Sequence, residues 1–237
     1  PDFEKIRPDW VFGLHNLPGF PVNSIILKHG TFAAASVGMI ITLKGKSTHA
    51  GQPEKGNNPA RCIADLVHFI DQDVMQSELN DFHLVTIIHI RLGEVAFGTS
   101  PGFGKVLLTL RSFRDDDLNF LKQKITRKVK DKAEFYGLGN EIEFTEEFPA
   151  TRSSETEVEL VRETASDLSL SVVEPDDSFR WSEDFGHYTR ECKGAFFGLG
   201  SGTSVPDLHN PDYDFPDEII PAGVNMFLSI LDKIEKR

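Results

Sequence analysis

Cysteine is scarce in this sequence. Two of 237 residues, Cys62 and Cys192, exclude a disulfide framework and a four-thiolate metal site. Uninterrupted apolar runs are short, and none approaches the ~18 residues of a membrane-spanning helix. Positive charge is in deficit: 25 Lys+Arg face 37 Asp+Glu, a net charge of −12. That balance argues against a nucleic-acid or anionic-membrane surface. No Gly-x-Ser-x-Gly elbow occurs, and Gly98–Lys105 (GTSPGFGK) misplaces one glycine of a phosphate loop and follows its lysine with Val106. There is no internal repeat and no low-complexity tract. The opening, PDFEKIRPDW, has neither an initiator Met nor the basic-then-apolar layout of a secretory signal. The expectation is a chain entered part-way through a longer sequence, with a cytoplasmic location.

What is present is enough for a core. Hydrophobic residues make up 39% and charged residues 26%, a globular composition sized for one large domain or two modest ones. The acidity is uneven. Residues 1–147 carry 17 Lys+Arg against 19 Asp+Glu, whereas residues 148–237 carry 8 against 18. Asp207, Asp212, Asp214, Asp217 and Glu218 crowd one stretch around His209. Such a stretch is either a solvated loop or a field that attracts a cation.

The pattern along the chain separates two textures. Trp10–Leu14 predicts a short buried strand, with His15–Gly19 as its turn, and Ser24–Leu27 a second short strand. From Val37 the order is clearer. Val37–Lys46 alternates as a strand with Met39, Ile41 and Leu43 on one face, and STHAGQPEKG reads as a loop. Asn58-Pro59 opens a helix bearing Ile63, Leu66, Val67, Ile70 and Val74. His83–Leu92 and Val106–Phe113 are strands. Asp115–Asp117 load the start of a helix to about Tyr136, and Glu141–Glu147 alternates as a last strand. This β-α-β-β-α-β order is the split, ferredoxin-like one. Beyond it, Thr156–Leu168, Ser182–Arg190 and Pro221–Ile234 read as helices, the last with Val224, Phe227, Leu228 and Leu231 inward, and Ala195–Leu199 as a buried strand. The fold class is therefore α/β: residues 37–147 form a ferredoxin-like unit inserted into a partial α/β domain made of 1–36 and 148–237.

Three of the eight histidines invite a chemical reading. His15 falls at a strand end, where open α/β sheets place ligands, though a histidine hydrogen-bonded in a turn would look the same. His209 sits among carboxylates able to orient an imidazole, or simply on a surface loop. His49 follows a strand and is flanked by small residues, leaving room for a ligand. His68, His83 and His89 ride on regular elements, and His29 and His187 show no partner pattern; all five read as structural.

GLHNLPGFP, ITLKGKSTHAGQPEKGNNP, RWSEDFGHY, GAFFGLGS and LHNPDYDFPDE, in this order and spacing, resemble the metal-dependent amidase/aminoacylase/carboxypeptidase family, zinc-peptidase-like amidohydrolases that include hippurate hydrolases and auxin-conjugate amidohydrolases. The resemblance covers essentially the whole chain. It implies a zinc-peptidase-like catalytic domain with a lid or dimerisation domain inserted, and hydrolysis of an N-acyl amino acid or related amide. It implies two divalent ions, zinc foremost, with manganese, cobalt or nickel as alternatives. His15 and His209 match metal ligands, and His49 matches the lid histidine that reaches the substrate carbonyl of the partner in a homodimer. Glu183 matches a cleft-lining position and is assigned to substrate. The family's Cys-Gly-His and Glu-Glu motifs, which supply further ligands and the general base, have no counterpart here, so the chain alone is expected to be inactive. Where the family often has Ala-Phe-Asn, this sequence has Ala96-Phe97-Gly98. The alternative is a non-catalytic dimerisation or binding module.

Overall fold

The computed structural model describes residues 3–236; the abrupt start at Pro1 lies outside them. The fold is mixed α/β, and the chain divides into two compact units, Pro1–Ala34 with Pro149–Arg237, and Ala35–Phe148. In chain order, the first unit supplies α1 (Phe3–Ile6), β1 (Trp10–Pro18), β2 (Ile25–Ile26) and β3 (Gly30–Ala33). The second contains β4 (Ala35–Lys44), β5 (Thr48–His49), α2 (Ala60–Phe69), β6 (His83–Leu92), β7 (Thr99–Ser100), β8 (Phe103–Ser112), α3 (Asp115–Phe135) and β9 (Gly139–Phe148). The chain returns to the first unit with β10 (Thr151–Ser153), α4 (Glu155–Asp167), β11 (Val172–Val173), α5 (Gly186–Thr189), β12 (Lys193–Gly202) and α6 (Ile220–Glu235). No helix among the described residues is long and apolar enough to cross a membrane.

The main sheet of the first unit runs β1-β12-β2-β11, with β1 parallel to β12 and β12 antiparallel to β2. Both faces of this sheet are covered, which is why β12 reads as an unbroken apolar run rather than an alternating one. Neighbouring residues go to opposite sides. Ile25, Phe197 and Leu199 join Val158, Val161, Met226 and Ile230 beneath α4 and α6. Ile26 and Phe196 join Leu17 and Phe32 on the other face, flanked by Phe20, Phe179, Trp181 and Phe185. Each fully buried phenylalanine contributes about 1.5–3 kcal/mol, so the pair Phe196 and Phe197 fastens both layers to one strand. Gly200 is obligatory for a different reason. A Cβ there would lie 2.0 Å from the Pro21 carbonyl oxygen and 2.4 Å from Ser24 Oγ, because the 19–24 turn is hydrogen-bonded directly onto β12 through Asn23 N–H to Gly200 O and Gly200 N–H to Ser24 O.

In the second unit the sheet order is β6-β8-β4-β9, all neighbours antiparallel, with elements in the order β-α-β-β-α-β. Met39, Ile41 and Leu43 of β4 and Val106, Leu108 and Leu110 of β8 are buried, as are Ile63 and Leu66 of α2 and Leu121, Ile125 and Val129 of α3. The side chain of Asn58 caps α2, accepting from the Ala60 N–H at 2.9 Å. Lys132 (2.5 Å) and the Tyr136 hydroxyl (3.0 Å) both donate to Asp65 Oδ2, tying α3 to α2. The two edge strands differ in character: β9 presents Glu141, Glu143, Glu146 and Glu147, whereas β6 exposes Ile88, Ile90 and Leu92.

Several sequence expectations are corrected. His15 is not in a turn, because β1 continues beside β12 as far as Pro18; the strand is half-buried rather than buried because it lies at the sheet edge. The 47–56 stretch is not a plain loop, since Thr48–His49 pairs with Thr99–Ser100 and Pro53–Lys55 forms a 3₁₀ turn. Only Gly186–Thr189 of the expected 182–190 helix is helical. In α6 the inward residues are Gly223, Met226 and Ile230, while Val224, Leu228 and Leu231 are half-exposed. Periodicity cannot choose between two apolar faces; here the sheet selects the face with Met226 and Ile230, which pack with Phe197 and Leu199. His29 has partners after all, Glu159 at 3.1 Å and Arg162 at 3.3 Å.

Candidate metal centre

The carboxyl end of the parallel pair β1/β12 is where ligands collect in open α/β sheets. His15 stands there, paired with Gly198. Its Nδ1 lies 2.8 Å from the carbonyl oxygen of Asn16. A carbonyl only accepts, so Nδ1 carries the proton and Nε2 keeps its lone pair, the arrangement typical of a metal-binding histidine. Nε2 faces Glu183 Oε1 at 3.5 Å, both side chains about three-quarters buried. Two acceptors held that close need a proton or a metal ion between them; ligands at about 2.0–2.1 Å around tetrahedral zinc stand ~3.3 Å apart. Burial pushes the Glu183 carboxyl above its ordinary value, while His15 draws it down and Asp184 adds to the rise.

A cavity of about 370 Å³ opens in front of this pair. Its lining includes His15, Glu183, Asp207 and His209 on the polar side and Phe20, Phe179 and Trp181 on the apolar side. His209 adopts a left-handed backbone conformation (φ 67°), uncommon for residues other than glycine, although histidine is among those that take it most readily. It sits in successive tight turns: Asn210 N–H donates to Asp207 O, and Asp212 N–H to Asn210 Oδ1. The loop is moored to β1 by Asn16 Nδ2, which donates to the Tyr213 hydroxyl at 2.5 Å. The apolar wall is a stack. Phe179 and Trp181 are nearly parallel at 5.0 Å between centroids, and Trp181 leans on the His15 ring at 5.5 Å.

His15, Glu183 and His209 thus share one cavity of the first unit, and His49 belongs to the second. Among the described residues no group of three or more His, Cys, Asp or Glu is arranged to hold a metal ion. The residues present fit one side of a metal centre: the free lone pair of His15 with the opposed Glu183 carboxylate, and His209 across the same cavity.

The sequence profile of one family spans residues 2–233. The chain belongs to peptidase family M20/M25/M40. It is 26% identical over 230 residues to an N-acetyldiaminopimelate deacetylase from Exiguobacterium sibiricum, covering 95% of this chain and 60% of that protein. It is also 26% identical over 239 residues to an uncharacterized hydrolase of Staphylococcus epidermidis, covering 97% and 61%. The chain therefore spans about 60% of the length of the curated relatives it matches. A Bacillus subtilis dinuclear metal binding peptidase of the M20 family superposes with a TM-score of 0.75 at 20% identity, over 94% of this chain and 56% of that one. An aminobenzoyl-glutamate utilization protein from Klebsiella pneumoniae gives 0.75 at 14% identity, over 94% and 54%. At such identities the likeness is one of fold.

Within this M20 chain the sequence does not single out the aromatic wall or the Asn16–Tyr213 mooring. The wall leaves a faint signal, since Phe179 and Trp181 are two residues apart and an extended segment would put both on one face. The mooring leaves none, because 197 residues separate its partners.

Proposed function

We propose that this M20 chain is the greater part of a metal-dependent amidohydrolase that cleaves the amide bond of N-acyl amino acids or related conjugates. The observation that carries this reading is the opposition of His15 Nε2 and Glu183 Oε1 in a cavity shared with His209. The deacetylase and dinuclear peptidase among its relatives and fold neighbours support the same chemistry. His15 and His209 would hold divalent metal, zinc foremost, as part of a two-ion centre. When bound, the ions polarise the scissile carbonyl and lower the pKa of a water. Glu183 lines the substrate cleft and faces His15. Phe20, Phe179 and Trp181 receive the apolar part of the substrate. His49 donates a hydrogen bond to the substrate carbonyl oxygen as negative charge develops there.

The second unit, with its ferredoxin-like arrangement, acts as lid and dimerisation domain, bringing His49 to the substrate of the partner copy. Its β6 edge suits pairing with a second copy, because Ile88, Ile90 and Leu92 are exposed while the opposite edge is guarded by glutamates. The first unit supports a further α/β segment. β1 lies at a sheet edge, and α6 exposes Ile220, Val224, Leu228 and Leu231 on the side turned away from the α4 contacts of Lys233. That segment would bring the remaining ligands and the general base.

The test compares two proteins with N-acetyl amino acids in the presence of zinc, manganese or cobalt. The 237-residue chain alone is expected to release no amino acid, and a chain extended to the length of its curated relatives is expected to hydrolyse the amide in a chelator-sensitive way. Metal-dependent turnover by the shorter chain would overturn the reading of an incomplete site. No turnover by the extended one would favour a dimerisation or binding module instead.

A further inference from the structure

The imidazole of His49 is held in a manner opposite to that of His15. Thr48–His49 is clamped to Thr99–Ser100 as a two-residue ladder, and Gln52 N–H closes a turn onto the His49 carbonyl at 2.9 Å. Inside that turn the backbone N–H of Gly51 points at His49 Nδ1, with the nitrogens 3.0 Å apart. A peptide N–H can only donate. Nδ1 must therefore present its lone pair, and the neutral ring carries its single proton on Nε2. The ring is exposed, so the nitrogen available to a ligand is a donor, the polarity needed beside a carbonyl oxygen that gains negative charge.

We propose that Gly51 is a positioning residue that fixes His49 as the Nε2–H tautomer and so makes its free nitrogen a hydrogen-bond donor. The inference rests on the reading of His49 as the group that meets the substrate carbonyl. The ring packs close over residue 51: a Cβ there would lie 3.3 Å from Nδ1 and 3.5 Å from Cε1 of His49, so the exposed ring would have to give by only a few tenths of an ångström.

The experiment is nitrogen NMR on the uniformly ¹⁵N-labelled 237-residue chain at about pH 8.5, two units above an ordinary imidazole pKa of about 6.5, with His49→Gln used to assign the ring signals. The expected result is an Nε2–H ring together with a nitrogen–nitrogen coupling across the hydrogen bond from the Gly51 amide to Nδ1. Gly51→Pro, which removes the N–H, should lose that coupling and populate the Nδ1–H form, whereas Gly51→Ala, which keeps the N–H, should retain it. A protonated Nδ1, or an absent coupling in the unsubstituted chain, overturns the assignment. Because this readout needs no turnover, the two ideas fail separately: a coupling present in an extended chain without activity sinks the hydrolase reading, and activity without the coupling sinks only the role of Gly51.

Discussion

His15 and Glu183 face each other with lone pairs inward, Nε2 to Oε1 at 3.5 Å, while the other nitrogen of His15 is occupied by the Asn16 carbonyl. The pair is 168 residues apart in sequence and comes together because the segment before α5 packs, through Phe179, Trp181 and Phe185, on the face of the sheet that carries Leu17 of β1. A proton on Nε2 would close the contact as an ion pair, and a bound cation would close it as a pair of ligands.

His15→Ala should therefore weaken zinc binding more than any change in fold stability would suggest. Competition against a chromogenic chelator should show lower affinity for Glu183→Gln, whose carboxylate faces the free lone pair of His15, and a larger loss for His15→Ala. Unchanged affinity in both would place the ion elsewhere.

Gly200→Ala tests the close approach of the 19–24 turn to β12. The intruding methyl meets a backbone oxygen that cannot rotate away, so the cost should sit at or above the upper end of the ~1–3 kcal/mol typical of overpacking. Denaturant titration measures it, and a loss below about 0.5 kcal/mol would contradict the packing described.

Asp65 should make the second unit acid-sensitive. Hydrogen bonds from Lys132 first, then Tyr136, hold its carboxyl below the ordinary value. A carboxylate depressed in the folded state stabilises the fold above its unfolded pKa of about 3.9 and loses that contribution as the pH falls through the folded value. Asp65→Asn should thus be less stable than the parent at neutral pH, and the gap should close below about pH 4. A gap that persists under acid would show that the pair contributes through packing and not through charge.

The two thiols should differ in reactivity. Burial first, then Asp65, pushes the Cys62 thiol up to about 11, and its side chain is fully buried, whereas Cys192 is partly exposed. Mass spectrometry after brief alkylation at about pH 8 should find Cys192 labelled and Cys62 spared until denaturant is added, since the thiolate is the reactive form.

Gly98 has open space around the position of a side chain, with nothing within 4 Å. Gly98→Asn should change stability by no more than about 0.5 kcal/mol, readable as an unchanged melting temperature. A clear loss would mean that the glycine is structural.

Much of this was legible in the residues. The alternation of Met39, Ile41 and Leu43, the Asn58 cap and the acidic start at Asp115–Asp117 each specify local geometry, and local geometry is what short-range pattern encodes. The three cavity residues were reachable through their motifs. What escaped depends on choices that local pattern does not contain. α6 is apolar on two sides, so only the sheet beneath Gly223 selects which one is buried. His15 looked like a turn residue because the strand that extends β1 past it lies at residues 193–202. The expected 182–190 helix shortened because its first residues are held against His15 instead of in a helical turn.

The β1/β12 pairing also has a kinetic meaning. The strands that must meet, Trp10–Pro18 and Lys193–Gly202, enclose the whole second unit between them, and closing so long a loop comes late unless the intervening chain has already shortened it. The 35–148 unit, whose contacts are comparatively local, is free to form first and draw the ends together. The cavity lined by His15 and His209 would then be among the last parts of this chain to take shape.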